Sequence, residues 1–168
     1  MTAAPQTLVL TGVSGAGKST VGRALADRLG AVLLDADDFH PEANRRKMAA
    51  GVALTDADRD PWIDALAAEL ERRSRDGDRV VLACSALRRH HRAGLLGAAP
   101  DVVLVHLDVG PEELARRLAG RTEHFMPAEL LDSQLADLEH PSGEHHAVVD
   151  GEAPVDAVVD DILRVAAE

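Results

Sequence analysis

Between Gly12 and Ser19 the chain reads Gly-Val-Ser-Gly-Ala-Gly-Lys-Ser, with Thr20 behind it. The spacing is G-x-x-x-x-G-K-[ST], and its chemistry is phosphate binding. Glycines let successive backbone N–H groups turn inward without side-chain clash. A helix starting at the loop adds the positive end of its dipole. Lys18 then reaches β- and γ-phosphates, and the Ser19 hydroxyl ligates Mg²⁺. The expected nucleotide-binding set is Gly12, Ser14, Gly15, Ala16, Gly17, Lys18, Ser19 and Thr20, with Lys18 also catalytic.

A second group follows in Leu33-Leu34-Asp35-Ala36-Asp37-Asp38-Phe39-His40. If the extended run continues, Asp35 and Asp37 face the same side. Two carboxylates beside a phosphate loop have two jobs open to them. One orders the Mg²⁺ shell, and the other takes a proton from an attacking hydroxyl. Another strand of this kind would often end in an acidic metal-shell residue, but the third apolar run ends in Cys84-Ser85. Asp35 is therefore the expected metal-shell residue, with Ser19. Ser85 offers a hydroxyl to a polar substrate, and Cys84 is expected to be a small buried residue.

The chain carries 18 Lys+Arg against 29 Asp+Glu, a net charge of −11. So acidic a surface excludes a general binder of nucleic acid or anionic membrane. It leaves room for a small anionic substrate held by a local cation cluster. Only two lysines occur, Lys18 and Lys47, and Lys47 lies in Asn44-Arg45-Arg46-Lys47-Met48. Asp58-Arg59-Asp60-Pro61-Trp62 adds Arg59. Arg116, Arg117 and Arg121 sit around a short segment between two helical patterns. Such arginines clamp transferring charge and exclude water, and Arg121 joins Lys18 and Asp37 as an expected catalytic residue. The three aromatics, Phe39, Trp62 and Phe125, all fall in these polar segments, which predicts one shared pocket. A single cysteine excludes an internal disulfide. It fits a reducing compartment, and no secretory leader pattern or membrane span is visible, so a cytoplasmic protein is expected.

Several elements must position these groups. Strands are expected at Leu8–Leu10, Ala31–Leu34, Val80–Ala83, Val102–Leu107 and Ala147–Val149. Helices are expected over Ser19–Leu29, Pro41–Ala50, Pro61–Arg75 and Pro127–Leu138, from Pro111, and over Val155–Ala166. The order β-α-β-α-α-β-α-β-α-α-β-α predicts an α/β fold, a five-stranded parallel sheet with helices on both faces. The length, 168 residues, suits one domain over 1–168, with a lid near 117–127.

GVSGAGKST, LDADDFHPEANRRKMAAGVALTDADRDPW, CSALRRHHR and RLAGRTEHFMPAELLDSQLADLEHP resemble, in sequence and order, the small gluconate kinases. These are phosphate-loop kinases related to shikimate kinase and the nucleoside monophosphate kinases. The resemblance implies the three-layer phosphate-loop kinase fold and ATP- and Mg²⁺-dependent phosphorylation of the C6 hydroxyl of D-gluconate. It implies that Asp37 is the base or hydroxyl-orienting carboxylate. It implies that Lys47, Arg59, His40 and His124 meet the polyol acid, and that Arg117 and Arg121 are nucleotide-side lid residues. The expected partner is a small molecule, with no nucleic acid or membrane; a homodimer is left open. Two rivals are a kinase of another small acceptor, such as shikimate or a nucleoside monophosphate, and a nucleotide-binding regulatory module that transfers nothing.

Overall fold

The computed structural model describes residues 4–120, 128–144 and 146–168, with backbone alone at 128 and 129. The elements run β1 (Thr7–Thr11), α1 (Lys18–Leu29), β2 (Val32–Asp35), a 3-10 turn (Ala36–Phe39), α2 (Glu42–Ala49) and α3 (Asp56–Arg75). They continue β3 (Val80–Ala83), α4 (Arg89–Leu96), β4 (Val102–Asp108), α5 (Pro111–Ala119), α6 (Ala128–Asp137), β5 (Ala147–Asp150) and α7 (Val155–Ala166). All five strands pair in parallel, in the order β2-β3-β1-β4-β5. This is the expected α/β architecture. β1 sits at the centre, so its carboxyl end opens where open parallel sheets bind ligands.

Strand alternation divides the core in two. Leu8 and Leu10 of β1 face α1 and α7, where Val21, Leu25, Val158, Val159 and Ile162 are buried with them. Val9 faces the opposite side with Leu82 and Leu104, under Trp62, Ile63, Leu66 and Leu70 of α3. The period-2 pattern of one strand thus recruits helices to both faces of the sheet.

Two local expectations give way. The run Asp35–Asp37 is not extended. Asp35 ends β2, and its carboxylate accepts the Asp37 N–H (3.0 Å), capping the 3-10 turn. A side chain that satisfies a backbone donor locally competes with strand geometry, so alternation does not place Asp37. Likewise, α3 begins at Asp56 rather than Pro61. Thr55 and Asp58 form a reciprocal capping box, with Thr55 Oγ1 accepting the Asp58 N–H and the Asp58 carboxylate accepting the Thr55 N–H. That box satisfies two free donors at the helix start. Pro61 lies in the second turn on the exposed face, where water can reach the Ala57 carbonyl it leaves unpaired.

Candidate active site

The loop between β1 and α1 takes a shape reserved for glycine. Gly12, Gly15 and Gly17 have φ of 147°, 89° and 94°, a region that side chains rarely enter. A Cβ at Gly12 would lie 3.1 Å from both the Ala16 Cβ and the Leu107 carbonyl oxygen. Lys18 Nζ donates to the carbonyls of Gly12 (2.9 Å) and Val13 (3.0 Å), holding its charge over the loop.

Two cavities flank this loop, and they separate the aspartates. Asp35 lines one with Ser19, Arg23 and Asp38. Ser19 Oγ donates to Asp35 Oδ2 (3.2 Å). Asp37 lines the other, with His40, Arg59, Trp62, Ser85 and Gln134.

The second cavity is built from α3, α6, the 3-10 turn and the segment after β3. Trp62 is buried, and its Nε1 donates to the Ala36 carbonyl (2.7 Å), pinning the turn that carries Asp37. Its ring stacks on His40, with centroids 4.1 Å apart at 15°. Burial, then the charges of Arg45 and Arg59, push the His40 pKa down to about 4, so the ring is neutral at physiological pH. Its tautomer follows from Asn44. The Asn44 amide NH₂ donates to the Asp58 carbonyl (2.9 Å), an acceptor only, and the same NH₂ faces His40 Nδ1 (3.2 Å). Nδ1 is therefore the acceptor, and the proton sits on Nε2.

Arg59 is buried, and its Nη2 donates to Asp137 Oδ2 (2.7 Å) on α6. Lys47 is not among the residues lining the cavity. Its Nζ donates to Asp58 Oδ2 (2.8 Å), which, with the Thr55 N–H, holds the Asp58 carboxyl down to about 2. Of the aromatics, Trp62 lines the cavity. Phe39 packs on the second core cluster instead, correcting the expectation of one shared pocket.

Cys84 and Ser85 lead into Ala86, a buried residue at φ 39°. Arg92, itself buried, fixes this strained turn. Its Nη1 donates to the carbonyls of Ala86 (3.1 Å) and Leu87 (2.9 Å), and its Nε donates to Glu144 Oε1 (2.8 Å). Burial pushes the Cys84 thiol up to about 12, which leaves it an inert packing residue.

Arg117 spans from α5 to the phosphate loop. Its Nη1 donates to the Gly15 carbonyl (3.0 Å), Nη2 to the Gly151 carbonyl (2.9 Å) and Nε to Glu113 (3.1 Å). Arg121 and His124, and with them most of the expected lid, lie outside the described residues, as does Phe125. Among the described residues, one histidine cluster offers metal-ligand geometry, Asp56 with His90 and His91. Arg59 and Arg88 lie 3.6 and 3.7 Å from Asp56, however, and their charge opposes a further cation.

Gln134, Asn44, Asp137 and Arg92 escaped the residue-by-residue reading. Gln134 Oε1 accepts the Ser14 N–H of the phosphate loop (2.8 Å) while lining the acceptor cavity. Its only signal in the sequence was the Ser-Gln pair within the family-like stretch.

A family model described as an AAA domain matches residues 8–141. A gluconokinase of Gluconobacter oxydans is 45% identical over 161 residues, covering 95% of this chain and 90% of that protein. The chain belongs to the gluconokinase family. A solved gluconokinase structure from Sinorhizobium meliloti agrees, with 42% identity, 97% and 92% coverage and a TM-score of 0.87. A shikimate kinase from Acinetobacter baumannii is 21% identical, covers 96% and 92%, and has a TM-score of 0.63. It shares the fold with the gluconokinase family and nothing finer. Family membership therefore accounts for both halves of the site, a phosphate loop on one side and a small polar cavity on the other.

Proposed function

We propose that this chain transfers the terminal phosphoryl group of ATP to the C6 hydroxyl of D-gluconate, giving 6-phospho-D-gluconate and ADP. One observation carries the reading beyond kinship: Asp37 and the buried cation Arg59 line one cavity beside the phosphate loop, while Ser19 and Asp35 line another. A hydroxyl acceptor with an anionic group suits the first. The second presents hydroxyl and carboxylate oxygens 3.2 Å apart, the hard donors that Mg²⁺ prefers. Mg²⁺ held by Ser19 and Asp35 would supply charge neutralisation at the phosphates.

This chain's own residues do the rest. The loop from Gly12 to Thr20 seats the phosphates, and Lys18 exchanges its two loop carbonyls for phosphate oxygens. Asp37 orients the attacking hydroxyl and takes its proton as the O–P bond forms. Arg59 and Ser85, with neutral His40 through its Nε2–H, hold the acceptor. Lys47 extends the cation cluster from outside the cavity wall. Arg117 supports the loop from its outer side. By the family resemblance, Arg121 serves the nucleotide side and His124 the acceptor. Residues 1–168 act as one domain, in the cytoplasm, on a small molecule and without nucleic-acid or membrane partner.

The test is ATP turnover with gluconate beside shikimate, glucose and AMP, followed by ADP release. Rapid turnover with gluconate alone is expected. Preference for shikimate or AMP would favour a kinase of another small acceptor, and no turnover with any acceptor would favour a regulatory nucleotide-binding module.

A further inference from the structure

We infer that Gln134 is a positioning residue through which the acceptor site and the phosphate loop sense each other's occupancy. The inference rests on the gluconate-kinase reading above. Helix α6 buries Leu131, with Leu135 packed beside it, against the core shared with α1 and α7. Its other side presents Ser133 and Gln134 to the acceptor cavity. Two contacts leave that side, one turn apart. Gln134 Oε1 accepts the Ser14 N–H (2.8 Å), and Asp137 Oδ2 accepts from Arg59 (2.7 Å). One helix thus holds a donor of the phosphate loop and the main cation of the acceptor cavity.

Arg59, Ser133 and Gln134 line the acceptor cavity together. An acceptor carboxylate seated there competes with Asp137 for the Arg59 guanidinium. Loosening that ion pair frees the α6 wall that carries Gln134, so the change reaches Ser14. The reverse path starts at the loop, whose N–H groups are the natural partners of phosphate oxygens. A bound triphosphate competes for the Ser14 N–H and releases the Gln134 amide, which already lines the cavity, to an acceptor hydroxyl. Each ligand frees a group that the other uses. Linkage then requires that each tighten the other by the same factor.

The experiment measures gluconate dissociation constants by calorimetry, with and without a non-hydrolysable ATP analogue and Mg²⁺. Wild type should bind gluconate about fivefold or more tightly in the presence of nucleotide, the lower end of typical couplings. Gln134→Met, which keeps length and helix propensity, should bring that ratio close to one. Gln134→Ala is the second variant, should the thioether pack poorly. A merely structural role would weaken both binary affinities and leave the ratio unchanged. An unchanged ratio in a folded variant, or a wild-type ratio of one, overturns the coupling. Turnover of gluconate by wild type is assayed separately, and its absence would overturn both this inference and the functional reading.

Discussion

Asp35 and Asp37 are two residues apart, yet they line different cavities, because the carboxylate of the first captures the N–H of the second and turns the chain. The short link keeps metal-shell chemistry and hydroxyl chemistry adjacent while giving each its own carboxylate.

Their substitutions should therefore differ in kind. Asp37→Asn keeps the shape and loses the proton acceptor, so kcat should fall by about 10²–10⁴ with the gluconate KM shifting less. Asp35→Asn should be partly rescued by raised Mg²⁺. A Mg²⁺ titration of both variants checks this, and rescue of Asp37→Asn alone would mean the roles are exchanged.

Lys18→Ala should leave the fold intact, because its ammonium donates to carbonyls of its own loop and the side chain is not part of either core cluster. The loss should appear in kcat, at about 3 kcal/mol of transition-state stabilisation or more. Circular dichroism beside steady-state kinetics separates the two. A folded variant with near wild-type kcat would remove the loop from the mechanism.

Arg59→Ala should raise the gluconate KM at least tenfold, about 1.4 kcal/mol, with little change for ATP. It also strands Asp137, which pairs with Arg59 at 2.7 Å. Lys47→Ala should act on the same parameter but less, since Lys47 lies outside the cavity lining and pairs with a half-buried Asp58. Initial-rate kinetics in both substrates decides, and equal losses for ATP and gluconate would put these cations on the wrong side of the site.

The buried His40 ring makes stability depend on pH. Its pKa is about 4 in the folded protein against 6.5 for an ordinary histidine. Below about pH 6.5 the unfolded chain takes up a proton that the folded chain refuses, so stability falls as pH falls from 6.5 toward 4. Urea midpoints at pH 7, 6 and 5 should decline for wild type. They should decline less for His40→Phe, which keeps a ring against Trp62 and cannot titrate. Parallel slopes would place the pH dependence elsewhere.

What the sequence made legible was what lies contiguous in it. The phosphate loop is one unbroken stretch, and the alternating strands and helices fix the parallel sheet. Strand periodicity does not place Asp37 relative to Asp35, because it ignores a side chain that caps its own backbone, as Asp35 does. The start of α3 is hard to read from sequence because Pro61 is a strong local signal, while the Thr55–Asp58 box uses Asp in place of the commoner Glu or Gln. The Gln134–Ser14 and Asp137–Arg59 contacts span 120 and 78 residues. Only the folded sheet and the seating of α6 over it bring those pairs together.

Trp62 is the chain's single tryptophan, and there is no tyrosine. Its indole stacks on His40 in the wall of the acceptor cavity. The intrinsic fluorescence of the whole molecule therefore originates at one point, beside the place where the acceptor must sit. The enzyme carries a built-in optical reporter of that site, readable in stopped flow without label, dye or coupled assay.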